Sequence, residues 1–419
     1  MEINKPLNEY QNLLDETLAD FMSSKDSPYL EMRKISYVEK ILNEREIKKL
    51  SERLFRKLEP FKNLKSEHLN EEDKEAITQA FKEYILKLDQ KKLFFDKPFL
   101  GYFMNMGYLE SSNAFIENAK AHDPDLVVTD LFQAIRNVWI MNSLQLFFGI
   151  KVTMTPSIFS YSMLYPYTDN YLDDPMISNL DKRNFNTRFQ MVLEGKTPED
   201  VTPKEDKIFA MIRNIEGQYD RITNPEVYKS LLLIQDAQVS SMNQDADLKL
   251  IPDVILPLSF YKGGSSVLAD SFLIKGNLNR NEMDFSFGYG SFLQLLDDFQ
   301  DTEEDRSNHH WTIFSIKEKN ERHDSEVDKL LSFIHRIMNK HTFHTENEIL
   351  IKDVITECTI IMVMEVIGRN PHFVSEKLYK TLESYSKVRL SFYKEFKESA
   401  LMNMKDFHFN QTIKDLTIS

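Results

Sequence analysis

The chain has 419 residues, 42% of them hydrophobic, and a formal net charge of −14. So acidic a balance argues against nucleic acid as a partner, whose binding surfaces are basic, and a single cysteine, Cys358, excludes an intramolecular disulfide framework. Only 11 Gly and 14 Pro occur, well below averages of ~7% and ~5%, which argues against a glycine-turned β fold and for an all-α chain of long helices.

Residues 1–93 read as a charged, amphipathic N-terminal helical region. Ile77, Phe81, Ile85 and Leu88 follow a 3.6-residue period, Asn70-Glu-Glu-Asp has the pattern of a helix start, and Pro60 and Pro98 mark breaks. No basic stretch followed by an apolar run opens the chain, so no signal peptide is expected. The most apolar stretches are interrupted by Asn142, Gln145 and Glu365, so no integral membrane segment and a cytoplasmic location are expected. Larger apolar side chains begin at Phe94, which sets a main domain over 94–402 and a loosely packed tail over 403–419. Leu131, Ile135, Val138 and Trp139 define a buried helix that also carries Arg136, and a buried arginine needs an anionic partner. Cys358 lies in an apolar run and reads as core filler.

The segment YTDNYLDDP places Asp169 and Asp173 at i, i+4, with Asp174 adjacent and Pro175 ending the helix. Lys182, Arg183 and Arg188 follow, and residues 194–206 read as a loop. In the helix over 228–244, Gln235 and Gln238 lie three apart on one face; a cavity wall and a satisfied buried amide are both open readings. In PLSFYKGGSSVLADSFLIKG, Gly263-Gly264 costs about 1 kcal/mol per glycine in a helix. The pair suggests either a break whose amides face a ligand, with Lys262 beside it, or a kink between packed helices.

The stretch GYGSFLQLLDDFQDTEEDR organises the rest. Asp297, Asp301 and Asp305 recur at i, i+4 and i+8, so they share one helical face. Like charges at that spacing destabilise a helix by a few tenths of a kcal/mol per pair. A solvated acidic face is the ordinary explanation of a charge run. Two such carboxylate sets, each flanked by aromatic and aliphatic residues, point instead to a divalent cation such as Mg²⁺, which takes hard oxygen ligands shared between carboxylates and phosphates. Arg306 follows as a phosphate partner whose guanidinium forks onto oxygens. His309 and His310 lack the companions of a transition-metal site and read as loop or capping residues. Helices are expected around 324–340, 347–368 and 374–400, with Arg389 and Tyr393 on one face that closes the cavity.

The order GxFLQLLDDxxDxEED over Gly290–Asp305 resembles the second metal motif of class I isoprenoid synthases. The first motif, Asp169–Asp173, departs from the DDxxD of chain-elongating prenyltransferases, since Asn170 stands at their second Asp. It is more similar to the squalene/phytoene synthases and to bacterial class IB terpene synthases of the tetraprenyl-β-curcumene synthase type. The resemblance spans roughly Phe132 to Phe314. It implies an isoprenoid synthase-type helical bundle around a central cavity. Mg²⁺, three ions in the family, would be held by Asp169, Asp173, Asp297, Asp301 and Asp305. A prenyl diphosphate would be bound by Lys262, Arg183 and Arg306 and ionised. Cavity positions would include Tyr165, Gln235, Gln238, Gly263, Phe292 and Gln294. The implied activity is that of a terpene synthase or cyclase. A prenyltransferase or head-to-head synthase and a non-catalytic prenyl-lipid-binding protein are the alternatives, and a homodimer is an analogy from the fold.

Overall fold

The computed structural model describes residues 5–24, 28–64, 68–241, 244, 251–341 and 345–405. The side chain of Asp173 lies outside the described part. The helices run in the order α1 (Lys5–Ser23), α2 (Tyr37–Leu58), α3 (Glu71–Gln90), α4 (Leu100–Asn105), α5 (Tyr108–His122) and α6 (Val128–Phe147). Next come α7 (Pro156–Asp173), α8 (Asn179–Leu193), α9 (Pro203–Gln218), α10 (Pro225–Ser241), α11 (Pro252–Lys275) and α12 (Arg280–Gln300). The last are α13 (Thr302–Asn308), α14 (Asp324–Lys340), α15 (Glu346–Arg369), α16 (Glu376–Glu383) and α17 (Leu390–Met404). The protein is all-α, with no strand among the described residues.

Two compact units divide the chain. One gathers Met1–Asp26, Gly107–Lys319 and Ser332–His344; the other gathers Ser27–Met106, Asn320–Leu331 and Thr345–Ser419. They are therefore discontinuous in sequence: α1 belongs with the middle of the chain, and α2–α4 belong with α15–α17. This is a different partition from a cut at 93/94.

In the first unit α11 and α12 pack along each other, with α1 and α10 against them. Phe21 of α1 sits edge-on to Phe260 and Phe333, its centroid 5.4 Å from each. Asn279 and Glu282 form a capping box that starts α12. Gly263-Gly264 does not break α11, which runs unbroken through both. The reason is the neighbouring helix. A Cβ on Gly263 would lie 2.4 Å from the Gly290 carbonyl oxygen, and one on Gly290 would lie 2.1 Å from that of Gly263. The helical cost of the glycines is offset by a backbone approach that no side chain permits. Arg136 on α6 is exposed rather than buried, so it needs no buried partner.

In the second unit α2 and α3 pair around Leu54, Leu58 and Ala80, and Ile47, Leu50, Leu93, Val388 and Phe392 form a second cluster. Asn70 and Asp73 cap α3 reciprocally, as their spacing predicts. The helix expected over 374–400 is instead two, α16 and α17. Lys40 explains the interruption: its ammonium, buried at 4% exposure, donates to the carbonyls of Glu383 and Ser386 at the end of α16. Arg389, expected at a cavity, is bound to Glu44 through Nε and Nη2.

Gly290→Ala should destabilise the protein by about 3 kcal/mol, because the new methyl has backbone in its place. Gly217→Ala, in open space on α9, should stabilise it by about 0.5–1 kcal/mol. Denaturant titrations of both variants check the contrast.

Candidate functional site

Within the first unit, α7, α8 and α10 enclose a cavity of about 760 Å³, with further contributions from Ile212, Lys262 and His310. Half of its lining residues are apolar or aromatic and half are polar or charged. Tyr161 and Tyr165, one turn apart on α7, meet edge-on at 5.5 Å. The Tyr165 hydroxyl lies 2.5 Å from Ser266 Oγ, and burial pushes the phenols of both tyrosines upward. Gln235 and Gln238 both line the cavity, and Gln235 donates to the Asn186 carbonyl at 2.9 Å. Four charged side chains also face it: Asp169 from α7, Lys182 and Arg183 from the start of α8, and Lys262 from α11. Asp169 accepts from Gln133. Lys182, Arg183 and Lys262 form no salt bridge among the described residues. Asn170, one residue on from Asp169, turns outward and donates to Asp130 at 2.6 Å.

A single buried carboxylate holds this end together. Glu205, with 0% exposure, accepts from Tyr171 Oη of α7 at 3.2 Å and from Arg188 Nη2 of α8 at 2.5 Å. Its other oxygen accepts the Thr202 amide, closing the capping box of α9. Burial alone would raise its pKa; the Arg188, Thr202 and Tyr171 bonds outweigh that and hold it below the ordinary carboxylate value. Tyr171 stands two residues from Asp169, and Arg188 lies five from Arg183, so Glu205 ties the acidic end of α7 to the basic turn of α8.

The second acidic stretch keeps the predicted register. Asp301 separates α12 from α13, yet its amide bonds the Asp297 carbonyl at 2.9 Å and the Asp305 amide bonds the Asp301 carbonyl at 2.8 Å. The three carboxylates therefore stay on one face. Asp297 and Asp301 are exposed and Asp305 is half-buried. Burial, then the charges of Asp298, Asp301 and Asp297, push Asp305 up to about 8.

None of these three lines the cavity, and neither do Gly263, Phe292, Gln294 or Arg306. Gly263 meets α12, and Phe292 is fully buried. Gln294 donates to Asp298 at 2.8 Å. Arg306 is engaged by Glu303 and by the carbonyls of Ser315 and Lys317. The link to the cavity is local: His310, whose amide bonds the Asp305 carbonyl at 2.9 Å, is a lining residue, whereas His309 caps α13 in a left-handed conformation.

Sequence reasoning singled out Asp297 and passed over Asp298. The second carboxylate is buried at 4% exposure and accepts from Ser259 at 2.9 Å as well as from Gln294. Burial first, opposed by those bonds and by Lys262, sets its pKa up to about 6. The Asp-Asp doublet was the available signal. Phe185 and Phe189 also line the cavity, and among 30 phenylalanines nothing in the sequence marks them out.

Among the described residues no group of three or more His, Cys, Asp or Glu side chains is gathered tightly enough to hold a metal alone. Mg²⁺ is usually bound through one or two carboxylates together with substrate phosphates rather than by a protein cage. Of the carboxylates expected to act so, Asp169 lines the cavity, whereas Asp297 and Asp301 do not. No protein-family model matches this chain, and no curated protein and no solved structure matches it either.

Two outcomes follow from these carboxylates. The folded protein keeps a proton on Asp298 to about pH 6, while the unfolded chain releases it near the ordinary value of 3.8. The resulting stability is full below that ordinary value and lost as pH rises to about 6, a change on the order of 3 kcal/mol. Asp298→Asn should flatten this part of the profile in thermal melts across pH 4–7. Glu205→Ala should cost about 3–5 kcal/mol, since it strands Arg188 among buried neighbours, and urea titration measures it.

Proposed function

We propose that this chain is a class I terpene synthase-like enzyme that ionises a linear prenyl diphosphate. The observation that carries the reading is the cavity's composition. Its lining combines apolar and aromatic side chains with three cations that form no salt bridge among the described residues and one carboxylate, which matches an apolar chain with a polyanionic head. Lys182, Arg183 and Lys262 would bind the diphosphate oxygens, with Arg183 supplying the forked contact.

Asp169, with Asp173, Asp297 and Asp301 by resemblance, would hold Mg²⁺. The bound ions would neutralise the diphosphate and stabilise it as a leaving group. The allylic C–O bond breaks and its electron pair leaves with the diphosphate. Tyr161 and Tyr165 present aromatic faces to the carbon cation that remains, each worth up to about 2 kcal/mol when desolvated. Loss of one proton from carbon closes the reaction as a terpene plus diphosphate.

Incubation of the purified chain with prenyl diphosphates of ten to twenty-five carbons tests this. Diphosphate release should require Mg²⁺, stop with EDTA, and accompany a hydrocarbon of the substrate's own carbon number. Asp169→Ala should slow release about 10²–10³-fold, the scale of a lost electrostatic stabiliser, and Lys262→Ala should act chiefly on KM. A product of doubled or extended carbon number would move the chain to a condensing synthase. Binding without release would make it a prenyl-lipid-binding protein.

A further inference from the structure

The second unit carries a groove of its own. The first turns of α17 pack down: Phe392 joins Ile47 and Leu50 of α2 in one cluster, and Phe396 lies against it. Further along α17, Ala400 and Asn403 face a trough lined by Leu54 and Phe55 of α2 and Ile77 and Phe81 of α3. Phe55, Ile77 and Phe81 are half-buried, so apolar surface stays uncovered among the described residues. The rim carries both signs, Lys48, Arg56 and Lys74 against Glu52, Glu59 and Glu395, and Lys48 reaches Glu395 at 3.8 Å. A balanced rim around an apolar floor does not select a polyanion. It suits an amphipathic helix laid into the groove.

Asn403 lines the groove one residue before the end of α17. Residues 406–419, the bulk of the expected tail, follow outside the described part. In their sequence Phe409, Ile413 and Leu416 recur at i, i+4 and i+7, the anchor spacing of a groove-bound helix. On a helix Gln411, Lys414 and Asp415 fall on the opposite side.

We propose that residues 409–416 dock as a helix in the groove of their own chain. Four Cα steps from Lys405 to Phe409 span up to about 14 Å, enough to turn back across a helix of about 10 Å diameter. Eight residues then cover about 12 Å, the length that positions 396–403 of α17 offer beside the groove. An isolated helix so short is marginal in water, and the groove supplies the apolar burial it lacks. The tether favours this segment over that of a second copy, because a short linker gives an effective concentration on the order of 1 mM. The groove lies in the second unit, so this docking stands apart from the diphosphate reading of the first.

The test uses the full chain and a fluorescent peptide with the sequence of residues 406–419. Ile413→Asp with Leu416→Asp removes two anchors from the tethered copy and frees the groove. That variant should bind the peptide at least about tenfold more tightly than the wild type does, since the tethered segment competes in the latter. Ile85→Glu, at an exposed lining position, should weaken peptide binding to the variant at least about tenfold. Hydrogen exchange needs no variant: the wild-type amides of residues 413–416 should exchange at least about tenfold more slowly than in the free peptide. Unprotected amides overturn the docking, as does peptide binding that is equal in wild type and variant or absent from both. Binding untouched by Ile85→Glu places the peptide elsewhere and overturns the groove. Light scattering should show the same oligomeric state for wild type and variant. A wild-type dimer that the double substitution turns into a monomer would put the segment in a second copy and overturn docking within one chain.

Discussion

The close crossing of α11 and α12 is the constraint on which the first unit depends. Gly263 and Gly290 each stand where a Cβ would fall within 2.4 Å of the other's carbonyl oxygen, so the helices meet backbone to backbone. Phe287 repeats the theme one turn away, its ring lying 2.6 Å from where a Cβ on Gly264 would be. At that separation neither helix can rotate without a clash, and the rotational setting of every nearby side chain is fixed. Lys262 then points into the cavity, while Ser259, one turn earlier, meets Asp298 across the interface. A contact between two groups with no side chain thus decides which charged residues face the cavity and which are spent on packing.

A second constraint acts through charge. Glu205 is a carboxylate with no exposure, and such a group is tolerable only with its oxygens satisfied. Arg188, Tyr171 and the Thr202 amide do so, joining α7, α8 and α9. Replacing such a buried pair by apolar residues is often neutral or stabilising, whereas removing one member is costly; the arrangement is therefore better understood as fixing position than as adding stability. What it positions is the junction between Asp169 and the basic turn of α8. The carboxylates of α12 and α13 are the opposite case: burial together with mutual repulsion keeps Asp305 protonated toward neutral pH.

Local rules made much of this legible in the sequence. Scarce glycine and proline, periodic apolar positions and caps such as Asn70 with Asp73 read out as helices, and the i, i+4, i+8 carboxylates hold their face across the junction at Asp301 because the backbone bonds continue through it. What escaped depends on partners distant in the chain. Gly263-Gly264 looks like a break until Gly290 is known to lie against it. Asp297 and Asp298 differ by one residue, a rotation of about 100° around a helix, and only the packing of α11 says which is buried. The interruption between α16 and α17 is set by Lys40 and Glu44, more than 340 residues earlier. Phe185 and Phe189 resemble any other core aromatics until α9 places Phe209 behind them.

The charge inventory sharpens the reading of the cavity. The chain carries 66 acidic against 52 basic residues, so a basic side chain has more acidic partners within reach than the reverse. Arg188, Lys204 and Lys207, all near the same end of the unit, do take partners in Glu205, Asp174 and Asp123. Lys182, Arg183 and Lys262 face one cavity from two different helices and form no salt bridge among the described residues, although Lys262 acts on Asp298 through its charge. Arg183 is exposed and Lys182 and Lys262 are half-buried, so solvent screens the repulsion among these like charges. A polyanionic ligand head would find all three ready to pair. The same logic separates this cavity from an ordinary packing void, which is lined by groups already satisfied, whereas here three cations face the cavity without a salt bridge among the described residues.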